Sequence, residues 1–391
     1  MDYITAGESH GPSLIAVVSG VPAGVTISTT TINADLARRQ SGYGRGGRMA
    51  IETDTVTIKS GVRFGKTLGS PLALEIENKD WENWKERMAA EGAPPADLTL
   101  EHSPRPGHAD LVGALKTDTT DCRNILERAS ARETAARVAA GAVAKAVLAQ
   151  LGVEISSYVT RIGSVELPQK EIERKSAVFS KERIESSPVR CPHEETSLAM
   201  VAAIENACEA GTSLGGWFTV AATGLVPGIG GYAEPSKRLT SSIGAAILSI
   251  PAIKGVEFGL GFASGTLQGN EVHDAIICSD DATGKIQPVR ATNFAGGLEG
   301  GMTTGETLIA HAVMKPIPTM TSPLGTVNLI THKPVAASKE RSDVCAVPAA
   351  AVVAEAELAL VLADAYLDKF GHDTMSDIIA AFEHYVARVT K

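Results

Sequence analysis

The chain has 391 residues, with 36 lysines and arginines against 45 aspartates and glutamates, and therefore carries a formal net charge of −9. Its 44% hydrophobic and 21% charged residues are typical of a globular protein, which excludes the disordered, collagen-like and fibrous classes. The acidic balance argues against a general nucleic-acid binder, although a local cluster of arginines would still bind an anionic substrate.

Hydrophobic patterning predicts strands and helices along the whole chain. Strands are predicted at 14–19, 55–59, 72–76 and 217–223, and helices at 32–40, 125–151, 195–210, 348–370 and 373–389. Asn33 is the predicted N-cap of the first helix, and the polar segment 80–97 is predicted to be a surface excursion. The alanine-rich helix over 125–151 should lie centrally, because its small side chains let neighbouring elements approach closely.

The same signals recur in the same order in two halves, about 1–151 and 212–371. A strand runs into GVPAG at 20–24 or GLVPG at 224–228, followed by a helix, by IKSGVRFG at 58–65 or IKGVEFG at 253–259, by a G-x-T-x-G segment and by an alanine-rich helix. We interpret this order as an internal duplication. A single domain over 1–391 is expected, with one shared core and the site where the halves meet.

The cysteines, the N-terminus and the longest apolar stretch indicate in which cellular compartment the protein is expected. The five cysteines form no C-x-x-C pair, which argues against a disulfide framework or a structural zinc site and favours a reduced cytoplasm. No basic segment precedes an apolar run at the N-terminus, so we expect no signal peptide. The longest apolar stretch, 349–367, contains Glu355, Glu357 and Asp364, so we expect no membrane span.

Two glycine-rich segments resemble nucleotide-binding motifs without the required context. GYGRGG at 42–47 matches G-x-G-x-x-G, but a predicted helix precedes it and a predicted strand follows, whereas the dinucleotide fingerprint needs the opposite order. GVRFGKT at 61–67 has three residues between its glycines where a P-loop needs four. His193-Glu194 lacks the second histidine of a metalloprotease helix, and no metal site is predicted.

Two of the unusual segments lie near the N-terminus. In ITAGESHG at 4–11, His10 has little apolar packing to make, and neighbouring glycines would let a ligand come close; the alternative is a hydrogen-bonded loop histidine. Arg38, Arg39, Arg45 and Arg48 flank a glycine-rich loop. Their planar guanidinium groups match phosphate and carboxylate, which predicts a clamp over a polyanion; the alternative is a solvated basic loop.

Two more segments follow at 103–110 and 127–134. In SPRPGHAD, two prolines and a glycine make the backbone rigid between Arg105 and His108. In ERASARET, Arg128 and Arg132 are spaced i, i+4 and are predicted to project from one helix face. A buried arginine pair without carboxylates would be costly, so an external anion is the expected partner; the alternative is salt bridges to Glu127 or Glu133.

Later segments complete a set that resembles one enzyme family. GESHG, RPGHAD, ERASARETAARVAAGA, AGGLEGGMTTG, KPIPT and RSDVCAVPAA occur in this order between Tyr3 and the C-terminal helices. Together they resemble the chorismate synthase family. The ERASARETAARVAAGA and GYGRGGR segments are most similar to its actinobacterial branch.

The resemblance implies a carbon–oxygen lyase of chorismate and aromatic amino acid biosynthesis, in the shikimate pathway. The family eliminates phosphate from 5-enolpyruvylshikimate 3-phosphate in an anti-1,4 sense, giving chorismate, and needs reduced FMN without net redox change. Its fold is α+β, a β-α-β sandwich of layered sheets around central helices, usually in a homotetramer. Some members reduce their flavin with NADPH and others depend on an external flavin reductase, and the sequence leaves both open.

The resemblance also implies a set of site residues. The catalytic residues would be His10 at the leaving phosphate, His108 at the anionic edge of the reduced flavin, and Asp343 as base for flavin N5. The substrate-binding residues would be Ser9, Arg39, Arg45, Arg48, Arg105, Ser130, Arg132 and Arg341. The flavin-binding residues would be Arg128, Ala129, Ser130, Pro251, Ala252, Gly300, Lys315, Pro316, Ile317, Pro318, Thr319 and Arg341. Other members often carry Asn or Gln at the position of Pro251, which leaves a backbone contact there.

The residues alone leave open another role for Asp343 and two other functions for the protein. Asp343 lies just before the helix at 348, so it is also predicted near the positive end of that helix, where an aspartate can serve stability alone. An NAD(P)H-dependent flavin reductase would need a dinucleotide fingerprint that the sequence does not offer. A polyanion- or RNA-binding module would need aromatic stacking platforms, for which only Tyr43 is present among the basic residues.

Overall fold

The computed structural model describes residues 1–46, 53–168, 178–280, 286–340 and 343–389. Its α-helices are α1 Thr29–Gln40, α2 Asp110–Lys116, α3 Arg123–Ala129, α4 Thr134–Ala149, α5 Lys181–Glu185, α6 Glu194–Glu209, α7 Leu239–Leu248, α8 Gly269–Val272, α9 Val347–Phe370 and α10 Met375–Val389. Its strands are β1 Asp2–Ala6, β2 Ser13–Ser19, β3 Val56–Ser60, β4 Val62–Arg63, β5 Lys66–Thr67, β6 Leu72–Glu77, β7 Glu154–Ile162, β8 Val165–Glu166, β9 Gly216–Thr223, β10 Ile253–Phe258, β11 Ile276–Asp280, β12 Ile286–Arg290, β13 Leu298–Glu299, β14 Met302–Thr303, β15 Leu308–Met314, β16 Gly325–Val327 and β17 Pro334–Ala336.

The strands form two principal sheets. One has the order β1-β2-β6-β3 and the other the order β10-β15-β9-β7-β8, and neighbouring strands in both are antiparallel. Along β6, Leu72, Leu74 and Ile76 alternate into the core, as a strand covered on one face requires. Small two-stranded hairpins complete the strand content.

Helices α4 and α9 lie between these sheets. Helix α4 contacts β2 and β6, α9 contacts β7 and β9, and the two helices contact each other and α1. The approach is close, because a Cβ built on Gly141 of α4 would lie 2.2 Å from the Cβ of Ala356 on α9. The predicted α+β class, the layered sheets and the central position of the alanine-rich segment are confirmed.

The single helix predicted over 125–151 is wrong. The chain leaves the helix at Ser130, whose φ of −62° and ψ of 141° are extended, and it then makes a 3₁₀ turn over Ala131–Glu133 before α4. The hydroxyl of Ser130 accepts from the backbone N–H of Arg132 at 3.3 Å. This competition of a serine side chain with helical hydrogen bonding explains the break.

The predicted N-cap of α1 is also wrong. The helix begins three residues earlier than predicted, at Thr29, and the hydroxyl of Ser28 caps it by accepting from the N–H of Thr30 at 3.2 Å. The side chain of Asn33 instead accepts from the backbone of Val56 at 2.8 Å, so it ties α1 to β3.

The two halves share detailed hydrogen bonding. Thr67 Oγ1 donates to the carbonyl of Pro22 at 2.5 Å and accepts from the N–H of Val25 at 2.9 Å. Thr303 Oγ1 donates to Val226 at 2.6 Å and accepts from Ile229 at 2.9 Å.

Strand order repeats in the same way. Strands β3-β6-β2-β1 correspond in order to β10-β15-β9-β7, and the register shifts after Ile58 in the first sheet and after Ile253 in the second. On these grounds we propose that the halves arose by duplication and form one domain around a shared core.

No helix in the described ranges is both long enough and apolar enough to span a membrane.

Candidate functional site

The turn between β1 and β2 packs against the C-terminal end of α3. The N–H of Ser9 donates to the carbonyl of Glu127 at 2.9 Å, and the N–H of His10 donates to the Glu127 carboxylate at 2.8 Å. The hydroxyl of Ser9 donates to that of Ser130 at 3.2 Å. Two segments far apart in sequence, GESHG and ERAS, therefore form one unit.

His10 is enclosed on two sides. Its Nδ1 lies 2.9 Å from Glu127 Oε1, and its ring centroid lies 4.1 Å from that of Trp84. His10 is only 8% exposed, so the expectation that it has little apolar packing is wrong. Trp84 belongs to the excursion at 80–97, which is otherwise largely exposed as predicted.

Glu127 is ionised in this environment. Burial alone would raise the pKa of its carboxyl, but hydrogen bonds from His10 and Arg123 and the charge of His10 hold that pKa below its ordinary value. Arg123 NH1 lies 3.2 Å from Glu127, and its guanidinium lies 5.1 Å from the centroid of Trp84. A buried carboxylate is therefore part of the His10 site.

Arg132 is buried beside Asp54 and Asn78. Its NH1 lies 2.6 Å from Asp54 Oδ1, and its Nε donates to Asn78 Oδ1 at 2.9 Å. The amide of Asn78 also donates to the carbonyls of Glu8 at 3.1 Å and Gly11 at 2.8 Å, so it joins Arg132 to the His10 turn. Arg132 thus pairs with the carboxylate of Asp54, which neither the expected external anion nor the alternative salt bridges to Glu127 or Glu133 included.

Arg128 does not share a face with Arg132. It is exposed, and its guanidinium donates to the carbonyls of Thr5 at 2.8 Å and Gly7 at 3.2 Å. The prediction that both arginines project from one helix face is wrong, because the extended residue Ser130 lies between them. Ala129 is the last residue of α3.

Arg39 lies in the same buried cluster. Its Nε donates to Thr134 Oγ1 at 2.9 Å and its NH2 to the carbonyl of Ala131 at 2.9 Å. Burial and the neighbouring Arg132 and Arg45 lower the pKa of Arg39 to about 10, although Asp54 and Asp343 oppose that shift. An anion placed here would relieve the repulsion among the arginines.

Asp343 holds the arginine–glycine loop. Its Oδ2 lies 2.8 Å from Arg45 NH1, and its Oδ1 accepts from the N–H of Gly46 at 2.7 Å. Helix α9 begins at Val347 with Ala346 as N-cap and no side-chain cap, so the Asp343 carboxylate binds the loop rather than the end of the helix. Gly44 has φ of +79°, and a Cβ there would lie 2.7 Å from Ile204.

A second cluster surrounds the fully buried Asp110. Arg105 Nε donates to Asp110 Oδ2 at 2.8 Å, and His108 Nδ1 lies 2.5 Å from Oδ1. Burial would raise the pKa of Asp110, but the hydrogen bonds from His108 and Arg105 hold it well below its usual range. Asp110 thereby orients both predicted site residues of this loop.

The loop at 315–319 closes this cluster. Arg105 NH1 donates to Thr319 Oγ1 at 3.0 Å, and Lys315 Nζ donates to the carbonyl of Gly107 at 2.5 Å. The N–H of Lys315 donates to Ala252 at 3.0 Å, and Ala252 has the left-handed φ of 68°. The structure thus brings together Arg105, His108, Pro251, Ala252, Lys315, Pro316, Ile317, Pro318 and Thr319.

Gly300 is not joined to either cluster in the part of the chain that the structure describes. A Cβ built on Gly300, in the β13–β14 turn, would meet within 4 Å only Met302 and Tyr232 among the described residues. Arg48 and Arg341 lie outside the residues that the structure describes.

Sequence reasoning missed the residues that hold the site together. Glu127 and Asp110 lie inside recognised motifs, so their neighbours in sequence could have identified them. Asp54, Asn78 and Trp84 carry no local signal, because only the fold brings them to Arg132 and His10. Within the described ranges, no group of His, Cys, Asp and Glu is suited to hold a metal ion.

A cavity of about 750 Å³ lies elsewhere in the molecule. It is lined by the N-terminus, α7 and α9, including Tyr3, Ser249, Glu357 and Asp364. None of the predicted site residues that the structure describes lines it. Most of those residues lie instead in the two polar clusters.

Comparisons with known proteins agree over the whole chain. A family model described as chorismate synthase matches residues 1–367. The chain is 51% identical over 397 residues to a chorismate synthase of Symbiobacterium thermophilum, with 100% of each chain covered. It is 50% identical over 394 residues to a chorismate synthase of Aquifex aeolicus, covering 99% of this chain and 98% of the relative. A solved crystal structure of chorismate synthase superposes with a TM-score of 0.78 at 41% identity, covering 99% of this chain and 98% of that chain.

Proposed function

The chain belongs to the chorismate synthase family, and on that premise we propose that it forms chorismate by anti-1,4 elimination of phosphate from 5-enolpyruvylshikimate 3-phosphate. It is then a carbon–oxygen lyase that needs reduced FMN without net redox change. The observation that supports this best is the cluster of Arg39, Arg45 and Arg132, of which Arg39 and Arg132 are buried and which the hydrogen bonds of Asn78 join to the turn that carries His10.

The substrate carries a phosphate and two carboxylates, so it needs several cations held in fixed positions. Arg39 and Arg132 are held by buried hydrogen bonds to Thr134 and Asn78. Arg45 is oriented by its ion pair with Asp343. Guanidinium groups fixed in this way bind phosphate and carboxylate without a large loss of side-chain entropy.

Proton transfer is assigned to His10. Since its Nδ1 faces Glu127, the Nε2 atom is the one that can donate to a leaving phosphate. A proton there makes the phosphate a better leaving group as the C–O bond breaks, which is the role of a general acid. Arg48 and Arg341 complete the proposed substrate-binding set by resemblance alone.

The second cluster fits reduced FMN. Arg105, His108 and Lys315 supply positive or hydrogen-bonding groups that suit an anionic ring edge, and the loops that carry them are tied together. Gly107 has φ of +82°, and a Cβ there would lie 3.4 Å from Lys315 Nζ, so a side chain would crowd the loop. When bound, reduced FMN would transiently supply electron density to the substrate as phosphate departs and would provide the acceptor for the proton that the ring loses. The Asp343 carboxylate would take a proton from flavin N5 beforehand.

The alternatives are less well supported. A flavin reductase is not favoured, since the family model and the named relatives are chorismate synthases. An RNA-binding loop is not favoured either, because the chain has a net charge of −9 and the hydroxyl of Tyr43 is bonded to an acidic residue, Glu205, at 2.7 Å. The cytoplasmic location, the homotetramer and the reductant, NADPH or an external reductase, remain proposals from the resemblance.

The test is anaerobic release of phosphate from 5-enolpyruvylshikimate 3-phosphate with dithionite-reduced FMN, followed together with chorismate absorbance. We expect one phosphate per chorismate and no reaction with oxidised FMN. A folded protein that binds both ligands but releases no phosphate contradicts the proposal. Anaerobic mixing with NADPH, read as bleaching of the flavin, decides whether the enzyme reduces its own cofactor.

Replacing Arg45 with alanine is expected to raise the dissociation constant for the substrate by about 10- to 150-fold, since it removes a charge-assisted hydrogen bond worth about 1.5–3 kcal/mol. Equilibrium binding to the oxidised-flavin complex measures this. Arg63→Ala is the matched control, because Arg63 is an exposed arginine that lies against Phe64. An unchanged affinity for the substrate in a folded Arg45→Ala variant would show that the arginine–glycine loop is solvated and does not bind the substrate.

A further inference from the structure

Both proposed catalytic histidines contact a buried carboxylate through the same ring nitrogen. His10 Nδ1 lies 2.9 Å from Glu127, and His108 Nδ1 lies 2.5 Å from Asp110. Glu127 is 2% exposed and Asp110 0%. A carboxylate at Nδ1 holds the proton on that nitrogen, so Nε2 is the nitrogen that can exchange a proton with a ligand.

Glu127 fixes the orientation of His10 more completely than one hydrogen bond would. Its Oε1 and Oε2 lie 2.9 and 3.1 Å from Nδ1, and Oε2 also accepts from the backbone N–H of His10 at 2.8 Å. Trp84 packs on the ring from another side. One carboxylate, that of Glu127, therefore bonds both the backbone and the ring of His10. These bonds set the direction in which Nε2 points.

The negative charge of Glu127 also stabilises the protonated form of His10. Arg123 contacts the same carboxylate at 3.2 Å, but it contacts Glu340 as well, at 2.8 Å, so its charge is shared between two carboxylates. When His10 is protonated, the positive charge on the ring lies against ionised Glu127. This pairing stabilises the proton donor before the substrate reacts.

We propose that Glu127 is a positioning residue for the elimination: it holds His10 as an Nδ1–H donor, so that Nε2 delivers a proton to the leaving phosphate. This inference depends on the proposed function. In the step, the Nε2–H bond breaks and an O–H bond forms on a phosphate oxygen. The C–O bond breaks and its electron pair stays on the departing phosphate, while the ring C–H bond breaks, its electron pair enters the conjugated C=C bonds of the product, and its proton leaves to the acceptor proposed above. Solvent then restores the proton to Nε2.

The test compares Glu127→Gln with the wild-type enzyme in single turnovers with reduced FMN. We expect phosphate release to slow by about 10- to 100-fold, the usual cost of losing a carboxylate that orients a histidine. The substrate and FMN dissociation constants should change by less than about 3-fold. Glu133→Gln is the matched control, since Glu133 is a buried carboxylate of the same segment that contacts Arg137. Its rate should stay close to that of the wild type.

A double-mutant cycle with His10→Ala separates positioning from a purely structural role. If Glu127 acts through His10, adding Glu127→Gln to His10→Ala causes no further loss of rate. The same loss in both backgrounds overturns the inference, as does a normal rate in Glu127→Gln alone. Glu127→Asp keeps the charge with a shorter side chain, so we expect a rate between those of wild type and Glu127→Gln. If the wild type releases no phosphate, the proposed function fails instead.

Discussion

Replacing Asp343 with asparagine is expected to slow phosphate release by on the order of 10²–10⁴-fold, the span expected for the loss of a general base. Asparagine is nearly isosteric, so its oxygen can still accept from the N–H of Gly46, which now bonds Asp343 at 2.7 Å. What it cannot do is accept a proton or pair its charge with Arg45. We therefore expect FMN to bind, the substrate to bind more weakly because Arg45 loses the carboxylate that orients it, and the chemical step to fail.

The two ligands should be titrated separately, and single-turnover rates should then be measured with reduced FMN. Asp368→Asn is a control, because Asp368 is an exposed aspartate that pairs with Lys237 at 3.0 Å. A normal rate with a lowered melting temperature would leave Asp343 only the role of anchoring the arginine–glycine loop. Loss of FMN binding would assign it a positional role and contradict its assignment as a base.

Replacing Glu355 with glutamine is expected to lower the free energy of unfolding by about 3–5 kcal/mol, because it leaves buried cations without their counter-charge. Glu355 is 0% exposed in the centre of α9. It lies 2.7 Å from Arg38 NH2, 2.7 Å from Lys145 Nζ and 3.4 Å from Arg190 NH2. Burial would raise the pKa of its carboxyl, but the charges of Lys145 and Arg38 outweigh burial and hold that pKa far below its usual range.

The pH dependence of this effect has a definite sign. A carboxyl whose pKa is lower in the folded than in the unfolded state stabilises the protein above its ordinary pKa, and this stabilisation is lost as the pH falls. The difference in unfolding free energy between wild type and Glu355→Gln should therefore shrink on acidification, and a difference independent of pH would contradict the assignment.

Glu357→Gln is the matched control for Glu355→Gln. Glu357 is also buried on α9, but burial raises the pKa of its carboxyl despite the nearby Arg137. Its ionised form is thus less favoured, and neutralising it should cost less. Denaturant titrations of both variants measure the contrast.

Local pattern was sufficient to predict most of the elements. The alternation of Leu72, Leu74 and Ile76 identified β6. Pro348 in the first turn and Gly371 just after the last residue identified α9. The break at Ser130 was missed because the residues on both sides, such as Leu126, Glu127 and Ala135, have a strong helix preference. The contacts of the β1–β2 turn with residues 127–130 favour the extended conformation there, together with the bond that Ser130 accepts from Arg132.

The site was predictable where its chemistry is concentrated in motifs. His10, Arg105 and His108 stand out because rare residue types lie among glycines and prolines. Asp54 did not stand out, since an aspartate in a polar stretch looks like any solvated residue. Its 3% exposure and its contact with Arg132 depend on the packing of β3 against α1 and of α1 against α4.

Helix α9 has buried residues along its whole length and lies between elements that are complete more than a hundred residues earlier. During synthesis, β1, β2, β6 and α4 leave the ribosome long before α9, the helix that packs on α4. Until residues 347–370 follow, the apolar face of α4 and the inner face of the second sheet have no partner. Contacts between such distant parts of a chain slow folding and expose intermediates to aggregation. A product that terminates before residue 347 would therefore lack the helix against which α4 and the second sheet assemble, and we expect it to be degraded or to aggregate.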